Sequence, residues 1–283
     1  MNLYKIDGGI GKNIAFTALI KELAERDGED IAIESAYPDV FIDIPGVGMI
    51  YNSGDGKDHT KFYRHFDKVF ASDRYIGTFF KGNVNLLSAW REQLGLDPVK
   101  ELSFPVLTNN ISEEEDKRIS EILGSKKYFI IQISGGQSPY AFNDQKSLPE
   151  YQQNHMTQGR NMGKMDELYS ELQKKFPEHT IVQFALPNEP QLKGTVQIPA
   201  HYRTWFNIFE HADFFVGIDS MMAHAMAVYK KPGIVFWDMN NAEQFGWFYD
   251  GVNHYNSSLP NGVHINKQLA ETSVKTLHSY LNA

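Results

Sequence analysis

Twice along this chain a short apolar run enters a glycine turn and leaves it as a helix, and few folds accommodate that unit. In the first occurrence residues 2–7 are strand-like, Gly8 to Gly11 form the turn, and residues 13–26 place Ile14, Ala18, Leu19, Ile20 and Leu23 at helical spacing. In the second, residues 128–133 form the apolar strand, Ser134-Gly135-Gly136 the turn, and residues 165–176 the helix. A strand that feeds a helix through a tight turn is followed by a strand parallel to the first, with the helix as a right-handed crossover. Further strands are expected at 31–35, 48–51, 66–71, 180–185, 213–217 and 233–236, and further helices at 84–94, 202–211, 220–229 and 266–281. The polar, glycine-containing residues 52–64 read as a loop. The spacing therefore predicts an α/β protein with parallel sheets. The last helix is expected to pack back across either half.

At 283 residues the chain suits two domains. Pro98, Pro105 and the Asn109-Asn110 pair lie in a stretch of weak periodicity, followed by Ser112 and three glutamates that resemble a helix N-terminus. The boundary falls there, giving domains 1–105 and 106–283. The formal charge of −8 is shared by both halves, with 12 bases and 16 acids in residues 1–110 and 15 and 19 in the rest. That balance disfavours tight non-specific nucleic-acid binding, which needs Lys and Arg to displace counterions. Zero cysteines exclude thiol nucleophiles and Cys-ligated metals. The first residues carry no apolar stretch after a basic start, and no run of about 18 apolar residues occurs, so neither a leader nor a membrane span is expected. A cytoplasmic protein, at most peripheral to a membrane, is the expectation.

The turn Asp7-Gly8-Gly9-Ile10-Gly11-Lys12-Asn13 has three readings. A P-loop would need glycine where Ile6 stands and a magnesium-binding hydroxyl where Asn13 stands. The shortened Gly-Gly-x-Gly-Lys form of some ATPases fits better but meets the same obstacle at Asn13. A dinucleotide fingerprint would need a third glycine where Ile14 stands. What remains is a tight turn whose amides, at a helix N-terminus, face a ligand oxygen or anion.

A second motif runs from Phe214 through Asp219-Ser220-Met221-Met222-Ala223-His224 to Lys231-Pro232. Asp219 and Ser220 can cap the helix they open while the Met221 and Met222 amides point outward, a geometry that holds a diphosphate without a metal. Here the sequence resembles glycosyltransferase family 9, the heptosyltransferase-like enzymes. The resemblance rests on Gly9-Ile-Gly11 with its helix, on Ile131-Gln-Ile-Ser-Gly135-Gly136, and on the stretch from Asp219 to Ala227 with Lys231 and Pro232. It implies the GT-B architecture, two Rossmann-like domains facing across a cleft, and transfer of a sugar from a nucleotide-diphosphate donor to a hydroxyl acceptor. Surface glycan or lipopolysaccharide is the acceptor class it favours. Donor-binding residues would be Ser134, Gly135, Gly136, Arg160, Lys164, Asp219, Ser220, Met221, Met222 and His224, with Gly8, Gly9, Gly11 and Asn13 forming the acceptor-side loop.

Two departures from the family pattern stand out. Met221 replaces the usual glycine after Asp-Ser, and Lys12 stands where the family often has an aspartate proposed as the base. A lysine at its ordinary pKa of ~10.4 cannot deprotonate a hydroxyl. Besides Lys12 itself, Asp7 and Asp55 are the main candidates for the catalytic position, with Asp39 and His65 behind them. Arg160 and Lys164 are equally well read as a solvated loop; for His224 the bland reading is a core histidine, over which the motif favours the site role.

No cofactor or metal is expected, the nucleotide-sugar being a co-substrate. The nearest approach to a metal-binding Asp-x-Asp is Asp27-Gly28-Glu29-Asp30, better read as a turn, and neither HExxH nor the G-x-S-x-G elbow occurs. Phe236-Trp237 and Phe245 to Tyr249 are either a stacking surface for a base or sugar, or core packing. Lys57, Lys61, Arg64, Lys68, Arg74 and Lys81 suggest a basic strip, which keeps hydroxymethylated DNA bases as an alternative acceptor. An inactive nucleotide-sugar-binding module is the other alternative.

Overall fold

The computed structural model describes residues 1–54, 59–72, 84–98, 101–135, 160–161, 165–185, 191–238, 242–257 and 267–282. The chain divides into two compact units, Met1–Asn110 with Glu243–Phe248, and Ile111–Ala242 with Tyr249–Ala283.

Unit 1 is built on strands β1 (Leu3–Ile6), β2 (Ile31–Ser35), β3 (Val47–Asn52) and β4 (Val69–Ser72), all parallel, in the order β3-β2-β1-β4. Helices α1 (Ile10–Asp27) and α2 (Leu86–Gln93) accompany them. Tyr4 on β1 and Phe16 on α1 are buried with Trp90 of α2, the Phe16 and Trp90 rings meeting edge to face at 5.6 Å. Arg91 on α2, wholly buried, grips Glu22 of α1 with two hydrogen bonds of 2.5 and 2.8 Å, joining the two helices by charge as well as by aromatic packing. The expected loop at 52–64 holds a one-turn helix at His59–Phe62 and a 3-10 turn at Tyr63–His65, where Phe62 and Phe66 close edge-on around Tyr51.

Unit 2 opens with α3 (Glu113–Leu123), whose start is the expected one: Ser112 and Glu115 form a reciprocal capping box. Its sheet contains β5 (Tyr128–Ile131), β8 (Thr180–Gln183), β9 (Phe215–Ile218), β10 (Gly233–Asp238) and β11 (Val252–Ser257), all parallel, in the order β11-β10-β9-β5-β8. Ser134–Gly135 (β6) and Arg160–Asn161 (β7) pair antiparallel, so the predicted second glycine turn begins as a short ribbon instead. Helices α4 (Met165–Lys175), α5 (Tyr202–His211), α6 (Met221–Val228) and α7 (Lys267–Leu281) complete the unit. Ala270, Val274 and Leu277 of α7 join Leu168, Leu172, Phe129 and Phe214 in one core, so the last helix packs within unit 2.

Both strand orders put a reversal beside the glycine-bearing strand. In unit 1 the reversal lies between β1 and β4, in unit 2 between β5 and β9. Ligands of open parallel sheets bind at the carboxyl ends of strands at such reversals. Among the described residues no helix is long and apolar enough to cross a membrane.

Candidate functional site

In unit 2 the reversal brings together the ends of β5 and β9. The Gln132 N–H donates to the Val216 carbonyl at 2.9 Å, and the Ser220 hydroxyl donates to the Gln132 side-chain oxygen. Ser220 occupies the N-cap position of α6 in extended conformation, yet its side chain makes no cap hydrogen bond. The expected capping by Ser220 is thus corrected: its hydroxyl is spent on the neighbouring strand. With no acid in its first turn either, α6 carries neither a cap hydrogen bond from Ser220 nor a first-turn carboxylate against its dipole, and a helix start of that kind suits an anion.

Asp219 and His224 flank that helix start, 5% and 6% exposed. Asp219 Oδ1 lies 3.6 Å from His224 Nε2, and His224 Nδ1 lies 2.8 Å from the Tyr249 hydroxyl. His224 is therefore buried, with a polar group near each ring nitrogen. Met222 is fully buried, its methyl at the spot a side chain on Gly217 would take: a Cβ there would stand 2.3 Å from Met222 Cε. Met221 remains half-buried at the helix start.

Gly135 and Arg160 are register partners in the β6-β7 ribbon, and Ser134 pairs with Asn161, so backbone pairing joins three of the predicted donor residues. Gly136 and Lys164 lie outside the described residues. Phe236 and Trp237 are fully buried within β10 itself, which favours core packing over a stacking surface. Trp237 Nε1 donates to His254 Nδ1 at 2.8 Å. Desolvation by neighbouring rings holds His254 below the ordinary imidazole pKa, although part of the residue reaches the surface.

In unit 1 the turn is shorter than expected. α1 starts at Ile10, with Gly9 as its N-cap, so Gly11 and Lys12 belong to the helix. Gly8 has φ +106°, and a Cβ there would meet Lys12 Cδ at 2.7 Å, so the lysine stem lies against the turn. Asn13 is fully buried: its amide donates to the Gly9 carbonyl at 3.0 Å and its oxygen accepts from Ser35 Oγ at 2.6 Å. The predicted loop contact Asn13 is corrected to an internal clasp between α1 and the end of β2. Asp7 is exposed at the end of β1, while Asp55 lies outside the described residues. Of the basic strip, Lys61, Arg64 and Lys68 are exposed, and Lys57, Arg74 and Lys81 lie outside the described residues.

The sequence reading missed Gln132, and it missed the cluster below Asp7. There Lys5 Nζ donates to Tyr63 OH at 2.7 Å, Tyr63 OH donates to Glu34 Oε1 at 3.3 Å, and Glu34 Oε2 is buried without a hydrogen-bond partner. The hydrogen bond to Tyr63 raises the Lys5 pKa, so the lysine stays charged beside Glu34. Strict register between β1 and β2 places Lys5 opposite Glu34, a relation that only pairing reveals. Among the described residues no group of three His, Asp or Glu side chains is placed to hold a metal ion.

Neither a protein-family model nor a curated protein sequence matches the chain. Solved structures do. The chain is similar along its whole length to the E. coli ADP-heptose LPS heptosyltransferase II, with 13% identity, TM-score 0.63 and 100% and 99% of the two chains covered. A glycosyl transferase family 9 protein from Veillonella parvula aligns over 100% and 97% with 12% identity and TM-score 0.67. The E. coli heptosyltransferase WaaC with ADP aligns over 99% and 98% with 9% identity and TM-score 0.51.

Proposed function

We propose, from the GT-B fold that this chain shares with those glycosyltransferases, that it transfers a sugar from a nucleotide-diphosphate donor to a hydroxyl of a surface glycan or lipopolysaccharide. The observation that carries the reading is the start of α6 at the β5/β9 reversal, where Ser220 makes no cap hydrogen bond and is tied to Gln132 instead. Backbone N–H groups of the first turn are suited to the donor's diphosphate, and their fixed dipoles meet the charge that grows as the bond to the sugar breaks. Arg160 and Lys164 are the basic side chains we assign to the same charge.

We assign the acceptor to unit 1. Asp7, exposed where β1 ends at that sheet's reversal, takes the place of the base. The acceptor oxygen attacks the anomeric carbon, the carbon–oxygen bond to the diphosphate breaks, the electron pair leaves with the diphosphate, and the acceptor proton passes to the Asp7 carboxylate. No step requires a divalent ion. The family's aspartate position holds Lys12, half-buried with its stem against Gly8, and this cation serves the approach of an anionic acceptor in our reading.

The test uses the full chain in metal-free buffer. ADP, UDP, GDP, CDP and dTDP are compared by thermal shift, a ligand at 100 times its Kd contributing about 2.7 kcal/mol. ADP, the nucleotide bound to the WaaC structure, is the expected choice, and Asp219→Asn is expected to lower transfer from the ADP-sugar. No stabilisation by any nucleotide would sink the reading. Nucleotide binding without release of ADP from ADP-sugars in the presence of lipopolysaccharide acceptors would mark the inactive module instead.

A further inference from the structure

We propose that Tyr249 is a positioning residue of the donor site, acting through His224; the inference rests on the donor reading above. Three buried groups stand in line: Asp219 at 5% exposure, His224 at 6% and Tyr249 at 8%. Asp219 directly follows β9, His224 lies one turn into α6, and Tyr249 comes from the segment before β11, 25 residues beyond His224. An ionised carboxylate only accepts, so Asp219 Oδ1, 3.6 Å from Nε2, favours the tautomer that carries its proton on Nε2. Nδ1 then has a lone pair, and the Tyr249 hydroxyl at 2.8 Å donates to it.

Tyr249 is itself held. Its ring lies 5.7 Å from Trp237 and 5.7 Å from His254, and Trp237 fixes His254 by the bond from Nε1 to Nδ1 at 2.8 Å. The hydroxyl therefore approaches His224 from a rigid aromatic cluster, and its direction sets the plane of the imidazole at a ring angle of 77°. Through that plane it sets where Nε2 meets Asp219, the carboxylate beside the helix start. Packing needs the Tyr249 ring; the positioning role needs its oxygen.

Tyr249→Phe removes the oxygen and keeps the ring. Histidine ¹⁵N spectra of the full chain are expected to show His224 protonated on Nε2 with Nδ1 accepting a hydrogen bond, and in Tyr249→Phe the Nδ1 signal shifts as that bond is lost. ADP affinity is expected to fall about five- to tenfold, the range carried by one hydrogen bond. Trp237→Phe, which loosens the cluster but leaves the hydroxyl, should weaken ADP less than Tyr249→Phe. A wild-type His224 protonated on Nδ1 would overturn the assignment. So would a Tyr249→Phe variant with unchanged spectrum, or one with a changed spectrum and unchanged affinity. If the wild type binds no nucleotide, the donor reading fails, and the tautomer comparison still decides whether Tyr249 orients His224.

Discussion

Gly217 and Gly233 look interchangeable in sequence, each in a buried strand, but what faces their missing Cβ differs. At Gly217 the neighbour is Met222 Cε at 2.3 Å, the free end of a flexible side chain; at Gly233 it is the Phe215 ring, with two carbons at 2.3 Å. A methionine methyl can swing aside, whereas a ring between two strands cannot yield without moving one of them. Gly233→Ala is therefore expected to cost at the upper end of the ~1–3 kcal/mol of an overpacked core, and Gly217→Ala clearly less. Urea melts of the two variants check the order. Equal losses would mean that Met222 is as immobile as the ring.

Between elements, the Arg91–Glu22 pair fastens α2 to α1, and its two ends are not equivalent. The Arg91 side chain is 0% exposed and Glu22 is 17% exposed. Arg91 also donates from Nε to the Asp97 carbonyl at 2.5 Å, holding the chain just past α2. Glu22→Ala strands a buried guanidinium, at an expected loss of about 3–5 kcal/mol, while Arg91→Met leaves a carboxylate that water still reaches and fills the space with an apolar stem. The prediction is that Glu22→Ala lowers the urea midpoint more than Arg91→Met does. The reverse order would place the energy in the arginine's packing.

Elements with buried apolar faces were legible in the sequence. The strand Ile31–Ser35 and the helix Tyr202–His211 have the bounds that periodicity alone assigns. The strand Val252–Ser257 was not, because its sequence VNHYNS is largely polar; among the described residues it pairs with β10 alone, at the edge of the sheet. The candidate site divides in the same way. Asp219, Ser220 and His224 announce themselves by spacing on one strand–helix junction, but Gln132 reaches Ser220 across 88 positions and Tyr249 reaches His224 across 25. Asn13 misled because its type suits a ligand loop, and only the neighbouring Ser35 reveals that it points inward.

For the molecule as a whole, proton binding adds a linkage between stability and pH. His254 titrates below 6.5 in the folded chain because of desolvation, and its Nδ1 must stay unprotonated to accept from Trp237. Above pH 6.5 both folded and unfolded forms are neutral. As pH falls through 6.5 the unfolded chain takes up the proton first, so stability is lost until the folded pKa is reached. His254→Asn, which keeps an acceptor for Trp237, is expected to flatten the fall between pH 7 and 5 relative to the wild type. Thermal melts across that range measure it, and parallel profiles would remove His254 from the linkage.

Lys12 carries a consequence of another kind. It sits in the first turn of α1, where the helix dipole disfavours a cation by ~0.3–1 kcal/mol and would welcome an acid. Its stem lies against the Gly8 turn, and the clasp that anchors the helix belongs to the next residue, Asn13. The bonds that hold the helix start and the side chain that brings charge to it thus belong to different residues. A substitution at Lys12 leaves the Asn13 clasp to Gly9 and Ser35 in place, so the first turn of α1 is a point where evolution can change the charge that a sheet's ligand end presents without rebuilding the joint beneath it.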